Sequence, residues 1–293
     1  MDRTYFEPRS LAEALRLLEA HPDAGIVAGG TDLVVGDRSG KRALPATLIA
    51  IHRLPELRGV QAAEAGVTRL GALVTHSELE SLPAIRERWT ALADAAALVG
   101  SPATRHMGTI GGNLCNASPA MEAGSPLLVF EATVELASAA GTWRLPVAEF
   151  LVGPAKSARK PGELLTGVLL PQPAPGRTGS AYLRLEYRQA MEIAVVGAAA
   201  LISVDEAGRC GTVRLSLTAV APTCVRAHEA EAMLIGKTPT AALIGQAAAA
   251  AATVAKPIDD VRGSAAYRRE MVTVIAGRAL SIAWRRAQGE SSS

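Results

Sequence analysis

The chain has 293 residues, which is enough for two domains and a large buried core. Its formal net charge of +2 gives no general attraction to nucleic acid or to an anionic membrane, so neither class of partner is favoured. Hydrophobic residues make up 49% of the sequence and aromatic residues 3%, which predicts a core built mainly of aliphatic side chains and alanine.

The three cysteines, Cys115, Cys210 and Cys224, lack the spacing of a zinc or iron–sulfur site. Their odd number, together with the lack of a signal-like apolar run in residues 1–6, predicts reduced thiols and a cytoplasmic protein. The alanine-rich tract at residues 248–252 is too short and too weakly apolar to span a bilayer, so no transmembrane segment is predicted.

The first half of the chain is predicted to alternate short strands with helices. Ser10 and Glu13 form a capping-box pattern that opens a predicted helix ending near His21. Thr31 or Asp32 is predicted to cap a helical turn that follows the first strand. The other predicted elements are helices from residue 76, at 83–99 and at 127–130, and strands at 25–28, 47–51, 67–75, 133–137, 142–145 and 164–170.

The second half begins at a proline-rich segment, residues 171–176, which is the clearest linker signal in the chain and predicts a domain boundary. Residues 205–208 predict a hairpin turn between two strands. A small antiparallel sheet followed by helices indicates an α+β domain. The predicted elements are strands at 181–187, 193–204 and 213–220, and helices at 228–235, 240–255 and 264–287.

Two double glycines, Gly29-Gly30 and Gly111-Gly112, are the strongest functional signal. The second pair lies between residues 101–105, which begin a long predicted loop, and residues 113–119, whose small and polar composition is typical of a loop around a ligand. Glycine lets backbone amides approach a ligand closely, and successive N–H groups in such a turn attract anions. The two double glycines together therefore predict a diphosphate held from two sides. Two ordinary tight turns are the alternative.

Several segments resemble the flavin subunits of the molybdenum hydroxylases. This family includes the medium subunit of aerobic carbon monoxide dehydrogenase and the matching part of xanthine dehydrogenase. The two glycine segments resemble the FAD-diphosphate loops of that family. The resemblance keeps its order over nearly the whole chain, at residues 28–33, 109–113, 116–120, 188–196 and 262–271.

The resemblance implies an α+β fold with a p-cresol methylhydroxylase-type FAD domain of two subdomains, followed by a C-terminal domain like that of the carbon monoxide dehydrogenase flavoproteins. It implies an oxidoreductase complex, expected as a dimer of heterotrimers, whose large subunit carries molybdopterin and whose small subunit carries [2Fe–2S] clusters. Electrons would run from molybdenum through these clusters to FAD on this chain and then to an external acceptor, in the cytoplasm or at the inner face of the membrane. The expected limits are 1–175 for the FAD domain, divided into 1–56 and 57–175, then 176–288 for the C-terminal domain and 289–293 for a disordered tail.

The resemblance also implies a set of FAD-binding residues and no metal ligand in this chain. No side chain is expected to act as a catalytic acid or base, because the flavin carries the redox chemistry. Tyr182 and Arg184 stand where relatives place a Tyr or Lys near the flavin ring, and Leu169 is expected to line the ring or the core. The implied set is Ala28, Gly29, Gly30, Thr31, Asp32, Leu33, Thr109, Ile110, Gly111, Gly112, Asn113, Ser118, Glu122, Leu169, Tyr182 and Arg184.

Two positions depart from the family pattern. Glu122 stands where many relatives carry Asp at the ribose or adenine end of FAD, and it either reaches that ligand or faces solvent. Glu192 also replaces an Asp of the pattern, and a strand-edge charge paired with Arg188 is the favoured interpretation. Arg105 is assigned either to a phosphate or to a solvated loop.

Two other functions stay open at this level. A self-contained FAD-dependent reductase or oxidase of similar fold would need a substrate pocket with its own proton donor. A flavin-free scaffold with vestigial glycine loops would take up no FAD. The histidines His21, His52, His76 and His228 are predicted to lie at the surface or at helix caps.

Overall fold

The computed structural model describes residues 3–63 and 66–290, which form three successive α+β units. The first unit contains a three-stranded parallel sheet. The second contains a five-stranded antiparallel sheet and the third a four-stranded antiparallel sheet. The predicted α+β class is therefore confirmed, while residues 291–293 of the predicted tail lie outside the described residues.

The first unit is a small sheet that carries two helices. Helix α1 begins where predicted, because the Ser10 hydroxyl accepts a hydrogen bond from the Glu13 N–H at 3.2 Å. The buried side chains of Ala14 and Leu18 on this helix belong to one apolar cluster with Ile49 of the sheet. The elements are β1 (Thr4–Phe6), α1 (Leu11–Ala20), β2 (Gly25–Val27), α2 (Thr31–Arg38) and β3 (Thr47–Ala50), with strand order β1-β3-β2.

Most helices of the second unit lie in the sequence after its first two strands and before its other five strands. The strand order is β4-β5-β10-β6-β7, and β8 pairs with β9 in a separate hairpin. Its strands are β4 (Val60–Ala62), β5 (Thr68–Gly71), β6 (Thr133–Ser138), β7 (Gly141–Pro146), β8 (Leu151–Gly153), β9 (Lys156–Ser157) and β10 (Leu164–Leu170). Its helices are α3 (His76–Ser81), α4 (Pro83–Arg88), α5 (Thr90–Ala97), α6 (Pro102–Met107), α7 (Ile110–Asn116), α8 (Gly124–Val129) and α9 (Val147–Phe150).

Local capping explains where the predictions for the second unit are wrong. The strand predicted at residues 67–75 ends at Gly71, because Thr75 and Glu78 form a capping box that starts α3. The loop predicted at residues 101–105 is helix α6, because the Ser101 hydroxyl accepts a hydrogen bond from the Thr104 N–H and Pro102 occupies the first helical position. The loop predicted at residues 113–119 is helical as far as Asn116.

The third unit is an antiparallel sheet with helices packed on one face. The hairpin turn predicted at residues 205–208 joins β12 to β13 and is closed by Gly208, whose φ of 75° suits glycine. Every residue of β12 is buried, because the sheet is covered on both faces. The elements are β11 (Arg177–Leu185), β12 (Val196–Val204), β13 (Cys210–Thr218), β14 (Val225–Arg226), α10 (His228–Leu234), α11 (Ala241–Ala251) and α12 (Ala265–Ala287), with strand order β11-β12-β13-β14.

The two faces of the third sheet belong to different cores. One face packs with α10, α11 and α12 in a cluster that includes Val196, Ala198 and Leu215. The other face contributes Tyr182 and Leu201 to the core of the second unit. Residues on this second face of β11 are thereby held against the second unit.

None of the helices in residues 3–63 and 66–290 combines the length and the hydropathy needed to cross a membrane. The longest, α12 at Ala265–Ala287, carries arginines along its length and packs against the third sheet.

Candidate functional site

The first glycine pair forms the junction between β2 and α2. Gly30 caps the helix in a left-handed conformation, with φ of 72°, and supplies no side-chain cap. The prediction that Thr31 or Asp32 caps this helix is therefore wrong, since both lie inside its first turn with Leu33. The first N–H groups of a helix have no acceptor within it, and they carry the positive end of its dipole. The start of α2 thus presents free amides to an anionic ligand.

Gly29 is required for a close approach between the two glycine segments. A Cβ built on Gly29 would overlap the carbonyl oxygen of Met107 and lie 3.1 Å from the N atom of Gly108. A Cβ on Gly108 would in turn lie 3.6 Å from the Thr31 hydroxyl. The fold therefore brings residues 28–33 and 108–113 side by side, as the diphosphate hypothesis requires.

The second glycine pair lies in the first turn of α7, and most of its amides are already bonded. The Thr109 hydroxyl accepts a hydrogen bond from the Gly112 N–H at 3.1 Å, and the Thr109 carbonyl accepts one from the Asn113 N–H at 2.9 Å. The Ile110 and Gly111 N–H groups donate to the carbonyl groups that precede α3, each at 2.9 Å. The predicted second nest of free amides is therefore wrong for these four N–H groups.

Gly111 has a packing role that its sequence context did not show. A Cβ on Gly111 would lie 2.7 Å from the carbonyl oxygen of Ala72 and 2.8 Å from its Cβ. The helix N-terminus is thereby held directly against the end of β5. The Asn113 side chain differs from these bonded amides, because its buried Oδ1 has no hydrogen-bond partner in the described chain.

His76 lies beneath the contact between the glycine segments. Its N–H donates to the Gly108 carbonyl at 3.1 Å, and its ring is 2% exposed. Burial, with a smaller contribution from the charge of Arg105, lowers the pKa of His76 to about 4, so the ring is neutral near pH 7. The prediction that His76 lies at the surface or at a helix cap is wrong, because it is buried and the cap of α3 is Thr75.

Glu122 and Arg184, two of the implied site residues, form an ion pair across the two halves of the chain. The Arg184 side chain is 0% exposed, and its Nε also donates to Glu186 Oε2 at 2.6 Å. Burial raises the pKa of Glu122 to about 7, against the opposing effect of Arg184. Glu186 was not predicted as a site residue, although its position two residues after Arg184 on the chain was an available signal.

Tyr182 and Leu169 occupy different environments. Tyr182 is buried on the face of β11 that carries Arg184, and its N–H donates to Asp94 Oδ2 at 3.2 Å. Leu169 is buried in the five-stranded sheet between Arg69 and Thr133, outside the core cluster that contains Tyr182. Ser118, in the turn after α7, accepts a hydrogen bond from the Ala120 N–H at 3.3 Å.

The remaining charged candidates are occupied by protein partners. Arg105 pairs with Glu80 at 2.8 Å and lies on α6, so the solvated loop charge is wrong, while the phosphate contact stays a prediction. Glu192 pairs with Arg188 at 2.8 Å, as the favoured interpretation had it. Burial raises the pKa of the half-buried Cys115 thiol to about 11, which keeps it protonated.

Comparisons with known proteins agree with this architecture. Residues 1–173 match the family described as FAD binding domain in molybdopterin dehydrogenase, and residues 181–283 match the CO dehydrogenase flavoprotein C-terminal domain. The chain is 34% identical over 287 residues to the 6-hydroxypseudooxynicotine dehydrogenase complex subunit alpha of Paenarthrobacter nicotinovorans, covering 97% of this chain and 95% of that protein. It is 32% identical over 233 residues to the xanthine dehydrogenase FAD-binding subunit of Escherichia coli O157:H7, covering 78% and 77%.

A solved structure shows the same fold. It is that of carbon monoxide dehydrogenase from Hydrogenophaga pseudoflava lacking the Mo-pyranopterin moiety of its cofactor, which superposes with a TM-score of 0.91 at 33% identity and covers 98% of both chains. The family match covers more than half of the chain, and the relatives match over most of their own length. The chain therefore belongs to the family of FAD-binding medium subunits of the molybdenum hydroxylases, oxidoreductases of the carbon monoxide dehydrogenase and xanthine dehydrogenase type.

Proposed function

We propose that the chain holds the diphosphate of FAD at the N-terminus of α2 and relays electrons from [2Fe–2S] clusters of a partner subunit to an external acceptor. The observation that carries this proposal is the glycine-capped start of α2, where free amides and the helix dipole face outward beside the second glycine segment. Bound FAD would supply the redox chemistry, and the protein would position it and set its electrostatic surroundings.

The residues of this chain fit FAD with unequal roles. The amides of residues 29–33 suit the diphosphate, and the unpartnered Oδ1 of Asn113 suits a hydrogen-bond donor of the ligand. Residues 109–112 hold α7 in place through their own hydrogen bonds and close packing rather than by free amides. Glu122, Tyr182 and Arg184 bring the third unit to the site.

The partners and domain limits follow from the same proposal. A large molybdopterin subunit and a small [2Fe–2S] subunit would assemble with this chain into a dimer of heterotrimers in the cytoplasm, or at the inner face of the membrane through the complex. Residues 1–175 would form the FAD domain and residues 176–288 the C-terminal domain. The substrate would be set by the molybdenum chain, and the acceptor by access to the flavin.

The test is a charge placed at the start of α2. Thr31→Glu adds a carboxylate that favours the helix N-terminus but repels a diphosphate, so the fold should persist while FAD affinity falls at least tenfold. Val35→Glu is the matched control, because Val35 is 64% exposed one turn further along the same helix. Titration of each FAD-free variant with FAD, monitored by flavin fluorescence, measures its dissociation constant for FAD. Equal affinity for Thr31→Glu and wild type would contradict the diphosphate assignment.

A second experiment addresses the electron-transfer role. Affinity purification of the chain from its native cells should recover a molybdenum-containing subunit and an iron–sulfur subunit in equal amounts, with the flavin reduced when substrate is added. Purification of a flavin-loaded chain alone, with its own reductase activity, would favour the self-contained FAD enzyme instead.

A further inference from the structure

The candidate FAD site holds more buried negative charge than positive charge. The Arg184 guanidinium contacts the carboxylates of both Glu122 and Glu186. The charge of Asp32, in the first turn of α2, also acts on Glu122 and raises the pKa of its carboxyl. Two carboxylates thus share one guanidinium, and the charge of Asp32 acts on one of them, at the place where the diphosphate would add further negative charge.

Glu122 forms its ion pair with Arg184 in the described part of the chain. The groups that act on it electrostatically, or on which it acts, are Asp32 from α2, Arg184 and Tyr182 from β11, and Cys224 from the segment before β14. Burial raises the pKa of both Tyr182 and Cys224, so these two groups stay neutral near pH 7. Arg184 is thus the cation in direct contact with both Glu122 and Glu186.

Glu122 is the carboxylate that gives up its charge most readily. Its side chain is 11% exposed, compared with 21% for Glu186, while Asp32 is exposed at the helix start. Desolvation disfavours the charged form of a carboxyl group, and a nearby anion disfavours it further. The diphosphate beside Asp32 would raise the pKa of Asp32, which burial already raises, and that of Glu122; Glu122, whose pKa is already about 7, is the group that takes up a proton near neutral pH.

We propose that Glu122 takes up a proton from solvent when FAD binds, so that this subunit holds FAD more tightly as the pH falls. The inference rests on the proposed diphosphate site. The proton moves from water to a carboxylate oxygen of Glu122, and FAD itself is chemically unchanged. The neutral carboxyl can then donate a hydrogen bond, which an ionised glutamate cannot do.

The direction and size of the effect follow from proton linkage. In the FAD-free chain burial holds the pKa of Glu122 at about 7, so below this pH the carboxyl is already neutral and FAD binding needs no further proton. Above it, the dissociation constant should rise by up to about tenfold per pH unit, until the pKa of the FAD-bound state is passed. His76, whose pKa is lowered to about 4, does not titrate in this range.

The experiment is a titration of the FAD-free full-length chain with FAD between about pH 5.5 and pH 9, in wild type, Glu122→Gln and Glu186→Gln. Wild type should bind FAD with constant affinity below about pH 7 and with falling affinity above it. Glu122→Gln should bind with no pH dependence. Glu186→Gln is the matched control, because it removes the same charge from the same arginine and should keep the wild-type slope.

A calorimetric measurement on wild type avoids reliance on any variant. FAD binding in buffers of different ionisation enthalpy should show uptake of nearly one proton at about pH 8 and of none at about pH 6. A pH-independent affinity of wild type, or a slope that persists in folded Glu122→Gln, would overturn the inference while FAD binding itself stands. No FAD binding at any pH would overturn the proposed function and this inference together.

Discussion

At the scale of single residues, His76 is a buried base whose protonation opposes folding. Its folded-state pKa of about 4 lies below the value of 6.5 for an exposed histidine, because burial disfavours the charged ring. As the pH falls, His76 is therefore protonated in the unfolded chain at a higher pH than in the folded chain. The stability that His76 contributes is complete above about pH 6.5 and is lost as the pH falls to about 4.

The buried His76 therefore predicts that the folded chain loses stability in acid. Between about pH 6.5 and pH 4, His76 alone should lower the free energy of unfolding by about 3 kcal/mol. Urea denaturation of wild type and His76→Gln at a series of pH values measures it, and the difference between the two curves isolates the histidine. If both proteins lose the same free energy over that range, His76 is not the group responsible.

Gly29 gives a second residue-scale prediction, about space rather than charge. The Cβ of Gly29→Ala would overlap the Met107 carbonyl oxygen, which is backbone and cannot move alone. We expect a loss of about 1–3 kcal/mol in the free energy of unfolding, together with weaker FAD binding. Gly245→Ala on α11 is the control, since its Cβ would meet nothing within 4 Å and should add up to about 1 kcal/mol of helix stability. Similar effects of the two substitutions on urea denaturation would contradict the packing role.

At the scale of elements, the two glycine pairs look alike in sequence and differ in structure. Both lie at helix starts, but Gly30 is itself the cap of α2 and has no side chain, whereas Gly111-Gly112 lies inside the first turn of α7, which Thr109 caps with its hydroxyl. The acceptors for the Ile110 and Gly111 amides come from residues nearly forty positions earlier. A local pattern cannot show such a long-range partner, so the sequence misjudged the amides of the second pair, while the diphosphate role of the first pair stays a prediction.

Other elements were readable from local signals that were not used. Ser101-Pro102 is a cap followed by proline, which is a helix start, and Thr75 with Glu78 is a capping box. The ion pair between Glu122 and Arg184 is different, because it joins residues from separate units. Their nomination came from resemblance, and nothing in their spacing predicted that they contact each other.

At the scale of elements, contacts of Asp94 hold β11 against α5. Asp94 on α5 accepts hydrogen bonds from the Tyr182 N–H and from Arg286 Nη1, at 3.2 and 2.6 Å, and Arg286 Nη1 also donates to the Ser180 carbonyl at 2.7 Å. Asp94→Ala should therefore lower the free energy of unfolding by about 1.5–3 kcal/mol and weaken FAD binding, because β11 also carries Arg184. Asp94→Asn keeps one acceptor and should cause a smaller loss. Unfolding and FAD titrations of the two variants test this order, and equal losses would contradict it.

At the scale of the whole molecule, the two family matches do not correspond to two separate cores. Leu201 and Tyr182 from the third unit belong to the core cluster of the second unit. Polar contacts reinforce it, since Ser216 Oγ donates to Ser125 Oγ at 3.1 Å and Arg214 Nη1 donates to the Val129 carbonyl at 3.1 Å. The proline-rich linker was visible in the sequence, but this shared core was not, because strand alternation does not say what each face packs against.

The shared core predicts that the described residues, 3–63 and 66–290, unfold as one cooperative unit despite the linker. Differential scanning calorimetry should show one transition whose calorimetric and van't Hoff enthalpies agree. Leu201→Ala removes buried apolar contact between the units and should lower the free energy of unfolding by about 2–4 kcal/mol while leaving a single transition at a lower temperature. Val261→Ala, at a fully exposed position in the same half of the chain, should change it by less than about 0.5 kcal/mol. Two resolved transitions in wild type would mean that the interface between the units is too weak to couple them, and the flavin site that spans it would then form only when ligand or partner subunits hold the halves together.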